Sequence, residues 1–155
     1  MTINDDIFGE LSYEYTWSKK FKIKFIDSEV DIVVLIDGEQ DEPFELGQYE
    51  AYTELLNKWE SIHKTFLKFI LEYYISKRYE LGYTVESNEK YPEIQTEEEI
   101  LKHITLVGIN VPYEGLYGGR SIGISFDCSW DNENGIGLRL CNEEVIEVGY
   151  QDIAI

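Results

Sequence analysis

Apolar and polar residues alternate along three stretches in the first third of the chain, and this alternation constrains the fold more than any other feature. The stretches run from Leu11 to Trp17, from Phe21 to Phe25 and from Val30 to Ile36. Successive side chains of a strand point to opposite faces, so a period of two residues is typical of a strand with one buried face. The pattern predicts a three-stranded antiparallel meander with turns at 18–20 and at Asp27-Ser28.

The short turns also predict a register for this meander. We expect Tyr15 to lie opposite Ile23, and Phe25 to lie opposite Val30. This pairing places three charged residues in a row across the polar face: Glu14, Lys24 and Asp31. Opposite charges at facing positions stabilise a sheet, so the charges agree with the predicted pairing.

The spacing of apolar residues changes to three and four in the middle of the chain, which is typical of a helix. It predicts one long helix from about Gln48 to Leu81, which would measure about 50 Å. Because this is long for a chain of 155 residues, we expect a kink or break near Ser61–Thr65. After a polar stretch from Glu86 to Gln95, the segment Thr96-Glu97-Glu98-Glu99 has capping-box spacing and predicts a short helix. The apolar residues of the long helix are Tyr52, Leu55, Leu56, Trp59, Ile62, Phe66, Phe69, Ile70, Tyr73 and Tyr74.

The last third of the chain again reads as strands. We expect one strand at Leu106–Val111, a hairpin of Ser121–Trp130 with Ile136–Leu140, and a last pair of strands within Val145–Ile155. In the hairpin we expect Trp130 opposite Ile136, which places Cys128 opposite Leu138 on the apolar face. The same register predicts a cross-strand ion pair between Asp127 and Arg139, and it directs the side chains of Cys128 and Cys141 to opposite faces.

Together these patterns predict an α+β fold in a single domain over residues 1–155. Antiparallel β meanders lie at both ends of the chain, and one long, kinked helix and one short helix lie between them and pack on the sheet.

Charge limits the classes of function. Thirteen Lys and Arg against 31 Asp and Glu give a net charge of −18. Such a charge repels nucleic acid and anionic membrane surfaces and accelerates encounter with basic partners. The start of the chain has neither the basic residues nor the apolar run of a signal peptide, and no stretch of 18 apolar residues occurs, so we expect a cytoplasmic protein without a membrane span. Ten acids and no basic residue occur between Lys24 and Lys58, and the loop at 37–42 contains four of them: Asp37, Glu39, Asp41 and Glu42.

Catalytic and metal-binding motifs are not evident. His63 and His103 lack a second His or Cys at ligand spacing, and the turn at 131–135 lacks the spacing of a calcium loop. We therefore predict no metal site, no cofactor and no catalytic residue. An enzyme that uses only carboxylates is the second alternative, and its candidates are Asp127, Asp131 and Asp152.

Several segments of the C-terminal half, together with the aromatic helix, carry a resemblance. They are 104–109, 122–131, 135–138 and 148–154. In these segments the chain resembles a group of uncharacterised bacterial domains that includes immunity proteins of polymorphic toxin systems. The resemblance implies an inhibitor that docks an acidic surface onto a basic toxin domain, and the loop with Asp37, Glu39, Asp41 and Glu42 is then the expected contact surface. The first alternative is a module that binds a small ligand, or a housekeeping partner, in a groove between helix and sheet.

Overall fold

The computed structural model describes residues 1–82 and 89–155, and in them eight strands form one sheet in the order of the sequence. This confirms the α+β class. The strands are β1 (Thr2–Asp5), β2 (Gly9–Glu14), β3 (Thr16–Phe25), β4 (Ser28–Ile36), β5 (Ile104–Val111), β6 (Ser121–Cys128), β7 (Ile136–Cys141) and β8 (Glu144–Gly149). The helices are α1 (Leu46–Asn57), α2 (Trp59–Ile62), α3 (Phe66–Glu80) and α4 (Glu97–Leu101), with 3₁₀ turns at His63–Thr65 and Gln151–Ala154.

Two antiparallel meanders, β1–β4 and β5–β8, share this sheet because β4 and β5 pair in parallel. Val33 lies opposite Gly108, and Ile36 lies opposite Val111. Parallel neighbours require a crossover connection, since the chain must return to the same end of the sheet before it starts the second strand. All four helices lie in this one crossover, and they cover one face of the sheet.

The core lies between this face and the helices. Aromatic side chains from both layers meet there: Phe126 of β6 contacts Phe25 of β3 and Phe66 of α3, with ring centroids 5.5 and 6.3 Å apart. As predicted, Cys128 is buried with the apolar residues, and burial raises the pKa of its thiol to about 11. Cys141 is half-buried, and neither cysteine is in a disulfide.

The predicted register of the first meander is wrong. Strand β3 continues through 18–20, where a turn was expected, and Lys22 rather than Lys24 lies opposite Asp31. The expected row of Glu14, Lys24 and Asp31 therefore does not form. The reason is the position of the turns. The β3–β4 turn consists of Ile26 and Asp27 rather than Asp27 and Ser28, which shifts the pairing by two residues, and the preceding turn is made at Tyr15, so β3 continues through 18–20. Within β3, Lys19 turns inward and its ammonium group donates hydrogen bonds to Phe8 O (2.7 Å) and to the hydroxyl of Tyr52 (2.8 Å).

The predicted register of the C-terminal hairpin is wrong as well. Ile136 lies opposite Phe126, so Arg139 lies opposite Gly123 and the expected pair with Asp127 is not made. Trp130 has left the strand and packs on Tyr74 of α3, with ring centroids 4.5 Å apart. The apolar alternation of β6 continues to Trp130, but this residue belongs to the core and not to the strand, which ends at Cys128. The connection between β6 and β7 is therefore longer than expected.

The last predicted pair of strands is also incorrect. Only β8 forms, and the chain then makes a 3₁₀ turn at Gln151–Ala154 across the other face of the sheet. Strand β1 was not predicted; it pairs with β2. In contrast, the break in the long helix is confirmed by the 3₁₀ turn at His63–Thr65.

A second break at Lys58 separates α1 from α2, and the first helix begins at Leu46. The predicted cap of α4 is present, because the hydroxyl of Thr96 accepts a hydrogen bond from Glu99 N (3.1 Å). The predicted polar stretch at 86–95 falls partly outside the described residues.

Candidate functional site

The candidate site lies where β4 and β5 end. Because the two strands are parallel neighbours, their carboxyl ends meet at one end of the sheet. The loop 37–45 follows β4, and the loop 112–120 follows β5. We call these two loops the acidic end. The N-terminus of α1 follows the first loop directly, so it also belongs to this end of the molecule.

The four acidic residues singled out in the sequence do not lie in one environment. Glu39, Asp41 and Glu42 are exposed, while Asp37 is half-buried. Burial raises the pKa of the Asp37 carboxyl, and a hydrogen bond from the backbone of Tyr113 acts in the opposite direction. Asp37 thus joins the two loops, and the three other carboxylates face solvent.

Buried Gln48 of α1 fastens the first loop to the sheet. Its amide nitrogen donates to Asp37 O (2.7 Å) and to Val111 O (3.4 Å), and its amide oxygen accepts from Glu45 N (2.9 Å). The indole of Trp17 donates to Glu39 O (3.3 Å). Buried polar groups with several partners hold a loop in one conformation, so the carboxylates of this loop are displayed on a fixed backbone.

Two glutamates fasten the second loop to the helix in a reciprocal way. Glu45 Oε1 accepts from Glu114 N, and Glu114 Oε2 accepts from Gly47 N, each at 2.9 Å. Carboxylates stabilise a helix N-terminus because its first amides lack partners within the helix. Gly47 is required for this approach, since a Cβ at that position would lie 2.5 Å from Glu114 Cβ.

Tyr113 lies in the second loop of the acidic end and is 45% exposed. Burial raises the pKa of its phenol, and four carboxylates add to the shift: Glu39, Asp37, Glu42 and Glu45. Two exposed leucines occur on the same elements, Leu116 in the second loop (58% exposed) and Leu46 at the start of α1 (71% exposed). The acidic end therefore carries exposed apolar side chains and a partly exposed tyrosine beside the three exposed carboxylates, which we call the negative rim.

Sequence reasoning did not find Tyr113, Glu114 or Leu116. The only local signs were a tyrosine and a leucine in a glycine-rich loop. This loop comes close to Asp37 because β4 pairs in parallel with β5. That pairing joins residues more than seventy positions apart.

Two basic residues beside the acidic end, Arg120 of the second loop and Lys58, share the carboxylate of Glu143, and Lys58 also pairs with Glu54 (3.2 Å). Glu143, in the β7–β8 turn, accepts from Arg120 Nε (2.7 Å) and Nη2 (2.9 Å) and from Lys58 Nζ (2.9 Å). The hydrogen bonds from Arg120, and then those from Lys58, lower the pKa of the Glu143 carboxyl against the opposing effect of burial. Since these two cations are paired, they do not offset the charge of the rim.

The three aspartates considered for carboxylate chemistry do not converge. Asp127 is exposed on the open face of the sheet and accepts from Gln151 Nε2 (2.9 Å). Asp131 accepts two hydrogen bonds from Asn134 within its own turn, and Asp152 is exposed in the C-terminal 3₁₀ turn. This arrangement offers no acid–base pair.

The small-ligand alternative would apply at a groove between helix and sheet. A groove between the long helix and β8 is lined by Ile62, Phe69 and Val145, with polar residues at its rim. It lies away from the predicted acidic residues. No group of three or more His, Cys, Asp or Glu suited to a metal ion occurs in residues 1–82 and 89–155. No helix in the same ranges is both long and apolar enough to cross a membrane.

The fold and this surface define a class: an acidic α+β protein that presents a partly exposed tyrosine and exposed carboxylates on two adjacent loops at one end of its sheet. Residues 7–155 match the model of a family described as a domain of unknown function (DUF6985). The chain therefore belongs to the DUF6985 family. No curated protein and no solved structure matches it.

Proposed function

We propose that this protein binds a basic partner protein through its acidic end, as an immunity-type inhibitor that covers a basic surface of a toxin in the cytoplasm. The observation that carries the proposal is that Tyr113, which is 45% exposed, is joined through its backbone to Asp37, in the loop that displays the exposed carboxylates Glu39, Asp41 and Glu42. Aromatic side chains at the centre of an interface supply much of its affinity, and the charges around them supply the rate of encounter and the choice of partner.

Two further features support this proposal. The loops are fastened by Gln48 and by the Glu45–Glu114 exchange, so little conformational entropy is lost on binding. The net charge of −18 directs the protein to basic partners and away from nucleic acid and anionic membranes.

Association kinetics test the proposal with a partner captured from native lysate at low salt and identified by mass spectrometry. Replacing Glu39→Gln, Asp41→Asn and Glu42→Gln together removes three charges from the rim and leaves Asp37 in place. We expect association to slow by about tenfold at low salt and by less as the salt concentration rises.

The matched control removes three exposed carboxylates away from both loops, with Glu72→Gln, Glu98→Gln and Glu133→Gln, and changes the net charge equally. Equal slowing in both triple variants would show that only net charge matters, and the acidic end would no longer be the docking surface. Tyr113→Ala should accelerate dissociation by about tenfold or more, because a central aromatic contact is lost. Tyr79→Ala, which removes a tyrosine that is 72% exposed on α3, should leave the dissociation rate unchanged.

A further inference from the structure

His63 is a fully buried histidine at the break in the long helix, and the docking surface does not use it. It lies in the 3₁₀ turn between α2 and α3. Its ring is stacked on Trp59 (centroids 5.4 Å apart, planes 11° apart) and lies beside Phe25 of β3 (5.9 Å). A titratable ring in this aromatic surrounding is costly to charge.

The hydrogen bonds of the ring determine its protonation. Nδ1 accepts from the backbone amide of Ile26 (3.1 Å), so this nitrogen carries no proton. Nε2 is buried and makes no hydrogen bond. Its nearest charged neighbour is Glu60 Oε2, at 3.7 Å. The ring is therefore the neutral tautomer with its proton on Nε2.

The residue held by this hydrogen bond has an unfavourable backbone conformation. Ile26, in the turn between β3 and β4, has φ +57°. This left-handed region costs a β-branched residue about 1–3 kcal/mol, so surrounding contacts must hold it in place. The bond from Ile26 N to His63 supplies one such contact and joins the turn to the helix break.

Three charged groups face the ring from the elements packed around it. Glu60 of α2 favours the charged imidazole, whereas Lys64 in the 3₁₀ turn and Lys24 of β3 oppose it. Glu60 is itself shared, because it pairs with Lys64 (3.1 Å) and Lys24 (3.6 Å). The carboxylate is thus already balanced by two cations, and burial, the largest effect, lowers the pKa of His63.

We propose that His63 is an acid-sensitive latch on the β3–β4 turn. When a proton from solvent binds Nδ1, the atom that accepts the hydrogen bond of Ile26 N becomes a donor, and two donors then face each other. The hydrogen bond breaks, and the strained turn is released from the helix. The turn lies at the opposite end of the sheet from the acidic end, so this inference is independent of the proposed docking function.

Amide hydrogen exchange measured by NMR tests the latch. Because the released turn exposes a histidine with a pKa near 6.5, its population should grow as the pH falls below that value. Between pH 7.5 and pH 5, the opening equilibrium at Ile26, corrected for the intrinsic exchange rate, should rise by up to about 30-fold. Amides in the centre of the sheet, such as that of Ile124, should not change with it.

The variant His63→Gln retains an acceptor but does not titrate, and we expect its Ile26 exchange to be independent of pH. His103→Gln, which removes the other histidine, should behave as wild type. If His63→Gln does not fold, ring ¹⁵N shifts of the wild type still report whether His63 is protonated on Nε2 alone at neutral pH. The latch is refuted if protection of Ile26 changes by less than about twofold over this pH range, or if the ring carries its proton on Nδ1.

Discussion

At Gly123 the open face of the sheet and the C-terminal 3₁₀ turn approach so closely that no side chain fits between them. A Cβ on Gly123 would lie 2.6 Å from the carbonyl carbon of Ala154. Two hydrogen bonds join the sheet to the C-terminal turn here: Asn110 Nδ2 donates to Ala154 O and Arg139 Nε donates to Ile153 O, each at 2.9 Å. A glycine in a strand here marks a place where another backbone packs.

The substitution Gly123→Ala should therefore displace the C-terminal turn and leave the buried amide of Asn110 and the partly exposed guanidinium of Arg139 without these acceptors. We expect the free energy of unfolding in urea to fall by about 2–4 kcal/mol. Gly149→Ala is the matched control, because its Cβ would meet only the flexible end of Ile153, at 3.2 Å. Equal losses in the two variants would contradict the close packing at Gly123.

At the scale of elements, Glu143 connects three parts of the chain that are distant in sequence. It lies in the β7–β8 turn, Arg120 precedes β6, and Lys58 separates α1 from α2. Its side chain is only 6% exposed. A carboxylate with three charge-assisted hydrogen bonds in this environment is a structural link between sheet and helix.

We expect Glu143→Gln to lower the free energy of unfolding at pH 7 by about 1–3 kcal/mol. The pKa of Glu143 is lower in the folded protein than in the unfolded chain. Its contribution to the free energy of unfolding is therefore fully present above the unfolded-chain pKa of about 4.3, and it is lost as the pH falls through the lower pKa of the folded protein. Urea unfolding at pH 7 and at acidic pH should therefore show the difference from wild type shrinking below about pH 4. The neighbouring exposed variant Glu144→Gln should stay within about 0.5 kcal/mol of wild type at pH 7; a loss as large as that of Glu143→Gln would rule out the specific link.

The sequence predicted elements better than it predicted their pairing. Local periodicity located most strands and capping-box spacing located the cap at Thr96, because both depend on neighbours within a few residues, while the break near His63 followed from the length of the predicted helix. Registers failed where a turn lay away from its expected place: at Tyr15 and at Ile26–Asp27 in the first meander, and in the C-terminal hairpin, where Trp130 lies in the core but outside the strand.

The candidate site was predictable only in part. Charge alone identified the loop with Glu39, Asp41 and Glu42, but Tyr113 becomes its neighbour only through the parallel pairing of β4 with β5. No short-range pattern encodes that pairing, because the crossover between the two strands contains all the helices.

At the scale of the whole molecule, acidic residues are paired with basic ones in some parts of the sheet and not in others. Strand β3 carries Lys20 and Lys22 on the face away from the helices, next to acidic residues of β4 such as Asp31, which pairs with Lys22 at 3.1 Å. Among the described residues, Glu39, Asp41 and Glu42 of the acidic end form no ion pair, and the cations Arg120 and Lys58 are paired with Glu143 and Glu54. An acidic molecule with one uncompensated, rigid end that carries a partly exposed tyrosine is suited to bind a basic surface there.

Hydrogen–deuterium exchange of the protein, alone and with its captured basic partner, tests this claim most directly. The account predicts slower exchange in the partner complex at 37–45 and 112–120, with little change in α3 and on the open face of β3 and β4. Protection confined to α3 or to that open face, with both loops unchanged, would contradict it.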